Sequence, residues 1–429
     1  WTHAKGSGPR STLTARIFSE DRGNGTALQR NHTHDALLSA QIKGQGILFE
    51  HEVDWSISAY FQTQEFSNLF TTVSADRSTE APVLDQYAVP AETIGAAFTA
   101  TWNEDSSITT AGADMRWVEG ETGERYFVQN GDFSRERHAG GTQYFTGIFA
   151  SHDRDLTTSI RTTISARYDI WRFPRGYRHE SEIDSGTVIL NEKYAERSGS
   201  KFSSSAGVTW NATKTMSWRT AVYQAFRVPT LNELYRPFRI GSTITNANPN
   251  LQPETLVGIE LGPTWSNDQN TFRITAFTND LNHPITNVTL GSGPGFVPNV
   301  GFIPAGGVGR RRENISSVQV QGVEISGAYR PQSLLKLSID YLYSDATNLT
   351  TGKRLPQVPR HTITTSLDWR PLVNWRVRAL ARHESDAFED DLNTLPLGSF
   401  TSIDLRVSHD LNPTTTVFLA IENLFNETI

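Results

Sequence analysis

The chain has 429 residues, a formal net charge of −7, 10% aromatic residues and no cysteine. Net acidity argues against a general nucleic-acid partner, and the lack of Cys removes disulfide frameworks and Cys-ligated zinc. No stretch reaches the roughly 18 apolar residues of a membrane-spanning helix, but a mean hydropathy of −0.42 leaves a transmembrane barrel open, because only every second residue of a barrel strand meets lipid.

The dominant period along the chain is two. It predicts seventeen strands, at about 12–19, 35–43, 48–65, 92–102, 108–120, 143–153, 158–173, 201–210, 217–227, 254–265, 271–285, 315–330, 334–346, 361–370, 374–385, 399–410 and 414–425. In "SIRTTISARYDI", Ile160, Ile164, Ala166, Tyr168 and Ile170 oppose Arg161, Ser165, Arg167 and Asp169. In "LLKLSIDYLYS", Leu335, Leu337, Ile339, Tyr341 and Tyr343 oppose Lys336, Ser338 and Asp340. Many of these strands exceed the usual five or six residues and suit a tilted bilayer crossing, which takes about 9–11.

The connections alternate long and short. Long ones are expected at about 20–34, 66–91, 121–142, 174–200, 228–253, 286–314, 347–360 and 386–398, and short ones near "GQG", "NEDSS", "DRDL", "NATKT", "SNDQN", "PQS", "PLV" and "LNP". An up-and-down outer-membrane barrel demands this rhythm, with short periplasmic turns and long extracellular loops. Six tryptophans flank the short turns: Trp102, Trp210, Trp218, Trp265, Trp369 and Trp375, with Tyr329 just before "PQS". Indole belongs at a membrane–water boundary, being apolar in body and polar at one tip. A soluble β-propeller, the competing all-β reading, would show a repeat near 40–50 residues, and none is found.

"FRVPTLNELYRPF" (226–238), "NPNLQPE" (248–254) and "GIELG" together resemble the barrel signature of the TonB-dependent receptors of Gram-negative outer membranes. "RRRENISSVQVQGVEISGAY", "RLPQVPRHTITTSLDW", "FEDDLNTLPLGSFTSIDLRVS" and "AIENLF" continue the resemblance in the family's order, over roughly residues 35–426. The resemblance implies an antiparallel transmembrane barrel of 22 strands closed by an N-terminal plug. It implies uptake of a scarce nutrient, such as a ferric siderophore or cobalamin, through the outer membrane, driven by an inner-membrane TonB-type complex acting on the plug. On this reading residues 1–429 are one barrel domain. The plug, about four first strands and the last strand are expected to lie outside the chain, as is any signal peptide. A passive porin or adhesin barrel is the alternative.

Ligand contacts are expected on the loops of such a scaffold. The candidates are Arg227, Tyr235, Arg236 and Phe238, since Arg presents a fork to anionic oxygens and aromatic rings present stacking faces. The competing role for the same residues is to fold the loop back. The run Arg310, Arg311 and Arg312 could attract anionic ligands or lipopolysaccharide phosphates, or serve as solvated rim charge. Asp386, Glu389, Asp390 and Asp391 offer hard oxygen ligands, but their spacing matches no calcium loop, so no metal is expected. Haem receptors of the family resemble this chain in the FRAP-like and NPNL boxes and place a His between them. Positions 230–247 hold no His, which argues against haem held in that way. No HExxH, GxSxG or P-loop pattern points to an enzyme, and no cofactor is expected.

Overall fold

Alternating apolar and polar residues favour extended backbone when one face meets apolar surroundings and the other meets water. The computed structural model describes residues 2–3 and 8–428 and turns the pattern into one large antiparallel sheet. Its strands are Arg10–Gly23 (β1), Arg30–Leu48 (β2), His51–Val73 (β3), Glu80–Glu104 (β4), Ser107–Gln129 (β5), Asp132–Asp155 (β6), Ile160–Glu182 (β7), Arg197–Asn211 (β8) and Met216–Arg227 (β9). They continue as Glu254–Ser266 (β10), Thr271–Asn282 (β11), Ser317–Gln332 (β12), Leu335–Asn348 (β13), His361–Leu372 (β14), Trp375–Glu384 (β15), Phe400–Asn412 (β16) and Thr415–Ile421 (β17). Each pairs with the next along the chain, and two short strands, Thr2–His3 and Val188–Tyr194, add to β1 and β7. Among the described residues no ladder joins β17 to β1.

The register shows which face is which. Directly opposed residues share a face, so Ile57 with Phe98, Ala113 with Ile148, and Ile148 with Tyr168 trace one side of the sheet. That side is apolar yet open: Ile148 and Ile164 are each 60% exposed, Phe202 55% and Val257 54%. A continuous band of this kind in water would drive aggregation. Facing hydrocarbon, it is the outer wall of a barrel. Trp210 opposes Trp218, Trp265 opposes Phe272 and Trp369 opposes Val377, so the predicted tryptophans form a belt on that outer face. At the other end, Trp117 opposes Tyr144 and Tyr343 opposes His361, which marks the second boundary.

At the tryptophan end the turns are 49–50, 105–106, 156–159, 212–215, 267–270, 333–334, 373–374 and 413–414, all of two to four residues. At the other end several expected loops prove to be strand. β5 and β6 run on to Gln129 and from Asp132, so the expected loop 121–142 is a hairpin closed by Asn130 and Gly131, with φ of 52° and 97°. Asn–Gly suits a turn that needs two positive φ values. β3 and β4 likewise reach Val73 and start at Glu80. Beyond the lipid band both faces meet water, the two-residue alternation fades, and the strands continue without that signature. "GQG" is also misplaced as a turn: Gly44 lies inside β2, where a Cβ would come within 2.6 Å of the Trp55 ring, and the turn itself is Phe49–Glu50. The expected loop 174–200 is mostly strand as well, with its open turn at 183–187.

That turn gives a test of orientation. A hydrophilic tag inserted at Gly186, exposed and at φ +65°, should be labelled on intact cells, whereas one at Thr213 in the opposite turn should stay silent until the outer membrane is opened. The reverse pattern would invert the topology.

Candidate functional site

Two loops, 228–253 and 283–316, build a lid at the barrel mouth. The first begins where Pro229 stops β9. Thr230 then caps a one-turn helix, Leu231–Tyr235 (α1), in a reciprocal box: Thr230 Oγ1 accepts from Glu233 N at 3.2 Å, and Glu233 Oε2 accepts from Thr230 N at 2.8 Å. This T-x-x-E spacing inside "FRVPTLNELY" is the local signal for such a cap. The strands Phe238–Ile240 and Thr243–Asn246 follow. They join the second loop through a parallel pairing of Thr243–Asn246 with the strand Val308–Asn314, which also pairs with Ile285–Ser292.

The lid folds inward. Leu234, Tyr235 and Leu251 are buried against Ala139 of β6 and Trp171 and Phe173 of β7, with Phe145, Phe226 and Leu231 around them. Tyr235 is 1% exposed and stacks on Tyr194, ring centroids 5.0 Å apart. Its ring occupies the space over Gly176 of β7, where a Cβ would overlap it. Gly176→Ala is therefore expected to displace Tyr235 at a cost of about 1–3 kcal/mol. The measurement is limited proteolysis, which should cut between residues 228 and 253 faster than in the parent protein. Unchanged cleavage would show that the lid does not depend on this contact.

Charge ties the lid to the wall. Glu124 of β5 is fully buried; its Oε2 accepts from Arg137 Nε at 2.9 Å and its Oε1 from Arg236 Nε at 2.7 Å. Burial pushes the Glu124 carboxyl up, but the Arg137 and Arg236 guanidiniums outweigh it and hold the group below the usual carboxylate range. Arg137 also lies 3.5 Å from Glu180. None of Glu124, Arg137 and Glu180 was singled out from sequence, because they sit in strands far from the motif boxes and only the fold brings them together.

The seven predicted ligand residues sit in or beside this lid. Arg227 donates to both Glu233 and Glu254, at 2.9–3.1 Å and 2.6–2.9 Å. Tyr235 is in the lid core and Arg236 on Glu124. Arg312 donates to the Asn232 and Arg236 carbonyls and lies 5.0 Å from the Phe238 ring centroid. Burial pushes the Arg312 guanidinium down to about 10, with Glu233 opposing and Arg236 adding to the fall. Arg311 bonds Glu313 at 2.9 Å and Asn248 Oδ1 at 3.1 Å. Asn248, in the "NPNL" box, returns a bond to the Arg312 carbonyl at 3.0 Å. The boxes thus stitch the two loops to each other. Arg310 differs: no side-chain hydrogen bond or ion pair is found for it among the described residues, and its Nε is buried without a partner.

The acidic run separates rather than converges. Asp386 pairs with Arg354, Glu389 accepts from Gln357, Asp390 accepts from Thr394 and Leu395 of its own loop, and Asp391 accepts from Thr289. No cluster of three or more potential metal ligands occurs among the described residues.

Below the lid, the lumen face of β5 to β7 carries Asp114, Arg116, Phe145, Arg167 and Asp169 around a cavity of about 690 Å³. Arg167 binds both acids, with contacts of 2.5–2.9 Å to each.

Comparison with known proteins agrees with this architecture. Residues 2–424 match the family model "TonB dependent receptor-like, beta-barrel". The chain is 28% identical over 245 residues to an iron-regulated outer membrane virulence protein of Vibrio cholerae, covering 54% of this chain and 36% of that protein. It is 23% identical over 290 residues to the vitamin B12 transporter BtuB of Photobacterium profundum, covering 67% and 41%. The chain thus spans well under half the length of these relatives. The ferric yersiniabactin uptake receptor FyuA from Yersinia pestis superposes with a TM-score of 0.70 at 13% identity, over 98% of this chain and 63% of that one. Seventeen paired strands, a lipid-facing apolar band between aromatic belts and a match over nearly the whole length place the chain in the Gram-negative outer membrane, as a member of the TonB-dependent receptor β-barrel family.

Proposed function

We propose that the protein binds a scarce nutrient at its extracellular mouth and passes it through the barrel, with energy delivered by a TonB-type inner-membrane complex. The observation that carries this reading is the inward-folded lid: 228–253 packs on the lumen wall of β6 and β7 above a cavity of about 690 Å³. An open diffusion pore has no need of a buried core at its mouth. The names of the relatives point to iron complexes or vitamin B12 as cargo classes. Binding and translocation, not bond chemistry, are the activity this geometry supports. Of the predicted ligand residues, Arg310 is the one whose guanidinium is not committed to the protein. Arg227, Tyr235, Arg236, Phe238, Arg311 and Arg312 shape the lid that presents it.

Cells lacking their own receptors and expressing this one should grow on a ferric siderophore, or on cobalamin, at concentrations too low for diffusion through porins. Growth should stop when the inner-membrane energy supply is removed. Growth that persists without that energy would favour the passive porin reading.

A further inference from the structure

Two neighbouring turns at the tryptophan end repeat one pattern. "YRPQSLLKL" (329–337) joins β12 to β13, and "WRPLVNWRV" (369–377) joins β14 to β15. Each opens with an outward aromatic residue, Tyr329 or Trp369, followed by an exposed Arg and a Pro. Pro cannot donate to the ladder, and the pairing shifts register just after Tyr329 and Trp369. Apolar side chains then stand in the turn itself. Val373 is 99% exposed, Leu372 64% and Leu334 51%. Leu335 opposes Trp369, Trp369 opposes Val377, and one step lower Leu372 opposes Trp375. The apolar rows of the lipid face therefore continue past the level of Trp369 and into the turns.

Other turns at this end differ. Those at 105–106, 212–215 and 267–270 read "DS", "ATKT" and "NDQN". Phe49 and Leu156 are exposed in theirs, but Glu50 and Asp155 stand directly beside them, and single exposed apolar residues need no explanation. In the β12–β15 sector several apolar tips join one another and the outer wall. All four strands are paired on both sides, so this exposure is not that of a sheet edge, and the patch continues the outer face rather than the lumen. Arg330 Nη1 donates to the Gln269 carbonyl at 2.8 Å, which holds the guanidinium at the rim. Asp410, whose N–H donates to the Asn374 carbonyl, accepts from Thr416 Oγ1 at 2.6 Å. Apolar tips flanked by Arg have the composition of an interfacial anchor. The apolar part enters the boundary between headgroups and acyl chains, and the guanidinium stays at the phosphates.

We propose that the β12–β13 and β14–β15 turns are inserted in the phospholipid leaflet at the tryptophan end, with Leu334, Leu372 and Val373 at the acyl boundary and Arg330 and Arg370 at the phosphates. The occupant of the patch is lipid because the patch is continuous with the lipid face. The leaflet is the inner one when the long loops face outward. On this side the barrel is seated through its turns, whereas at β10–β11 the "NDQN" turn stays in water. The inference goes beyond the uptake reading and does not depend on it.

The chain has no Cys, so a single introduced one takes a label without competition. The test uses the whole receptor, with any Cys outside these 429 residues changed to Ser. It is folded into vesicles of three parts phosphatidylethanolamine to one part phosphatidylglycerol. Leu334→Cys, Val373→Cys, Thr213→Cys and Gln269→Cys each carry the environment-sensitive NBD fluorophore. All four positions are exposed in turns, so the substitutions leave the sheet intact. Labels at 334 and 373 should emit to the blue of those at 213 and 269. They should be quenched several-fold more strongly by lipids bearing a nitroxide on the acyl chain, and be shielded from iodide in the water. Water-like emission at 373, with iodide quenching equal to that at 213, would overturn the proposal. Shielding from iodide without quenching by the lipid nitroxide would put a protein surface on the patch, a second copy or another chain, and equally overturn it.

Discussion

Replacing Glu124 with Gln is expected to unlatch the lid, at a local cost of about 3–5 kcal/mol. The carboxylate is fully buried between Arg137 and Arg236, whose side chains are 8% and 13% exposed. Gln keeps the shape and removes the charge, so Arg137 is left with Glu180 as its nearby acid and Arg236 loses the carboxylate it binds. Because Arg236 belongs to the lid and Glu124 to β5, the loss falls on lid closure more than on the barrel. Hydrogen exchange of amides 231–236 should accelerate by roughly two to four orders of magnitude, while β-sheet amides below the lid stay protected. Thr230→Ala, which removes the cap of α1, should cost only about 1 kcal/mol. If the two variants exchange alike, the buried charge is not what holds the lid. Acid should reproduce the effect. The folded carboxyl sits below its usual range, so its contribution is fully present above the ordinary glutamate value and is lost as pH falls through the depressed native one. The lid should stay latched at neutral and mildly acidic pH and loosen only in stronger acid.

The second large effect is at the lipid face. Ile339→Arg should destabilise the folded barrel by about 2–4 kcal/mol, and Ser338→Arg by far less. Ile339 shares its outward face with Thr365, Ala381 and Ile403, between the belt at Trp369 and that at Tyr343. Ser338 lies between Ala328 and Ser366 on the lumen face. Leu337 also faces outward but is close to the short turn at 333–334. An Arg there can extend its head to the interface, and its cost should fall below that of Ile339→Arg. Urea unfolding in lipid vesicles measures all three. Equal losses at 338 and 339 would refute the register.

The sequence by itself determined the membrane part of this protein. Within the lipid band each residue has one of two solvents, hydrocarbon or the lumen, so "LLKLSIDYLYS" and "SIRTTISARYDI" spell out their faces, and Trp210, Trp218 and Trp369 mark one boundary. The signal stopped where that constraint stopped. Above the band, β5 and β6 continue to Asn130–Gly131 with polar residues on both sides, and period two no longer separates them from loop. In "GQG" the glycine that suggested a turn instead admits the Trp55 ring. The motif boxes were legible as boxes. Their purpose was not. That Tyr235 drops onto Gly176, that Arg236 meets Glu124 across more than a hundred residues of chain, and that Arg167 meets Asp114 are consequences of strand register and of a loop folding inward. Such contacts join residues remote in sequence, and no local period or propensity records them. Only the tertiary structure decides which charges in this acidic chain are matched and which are not.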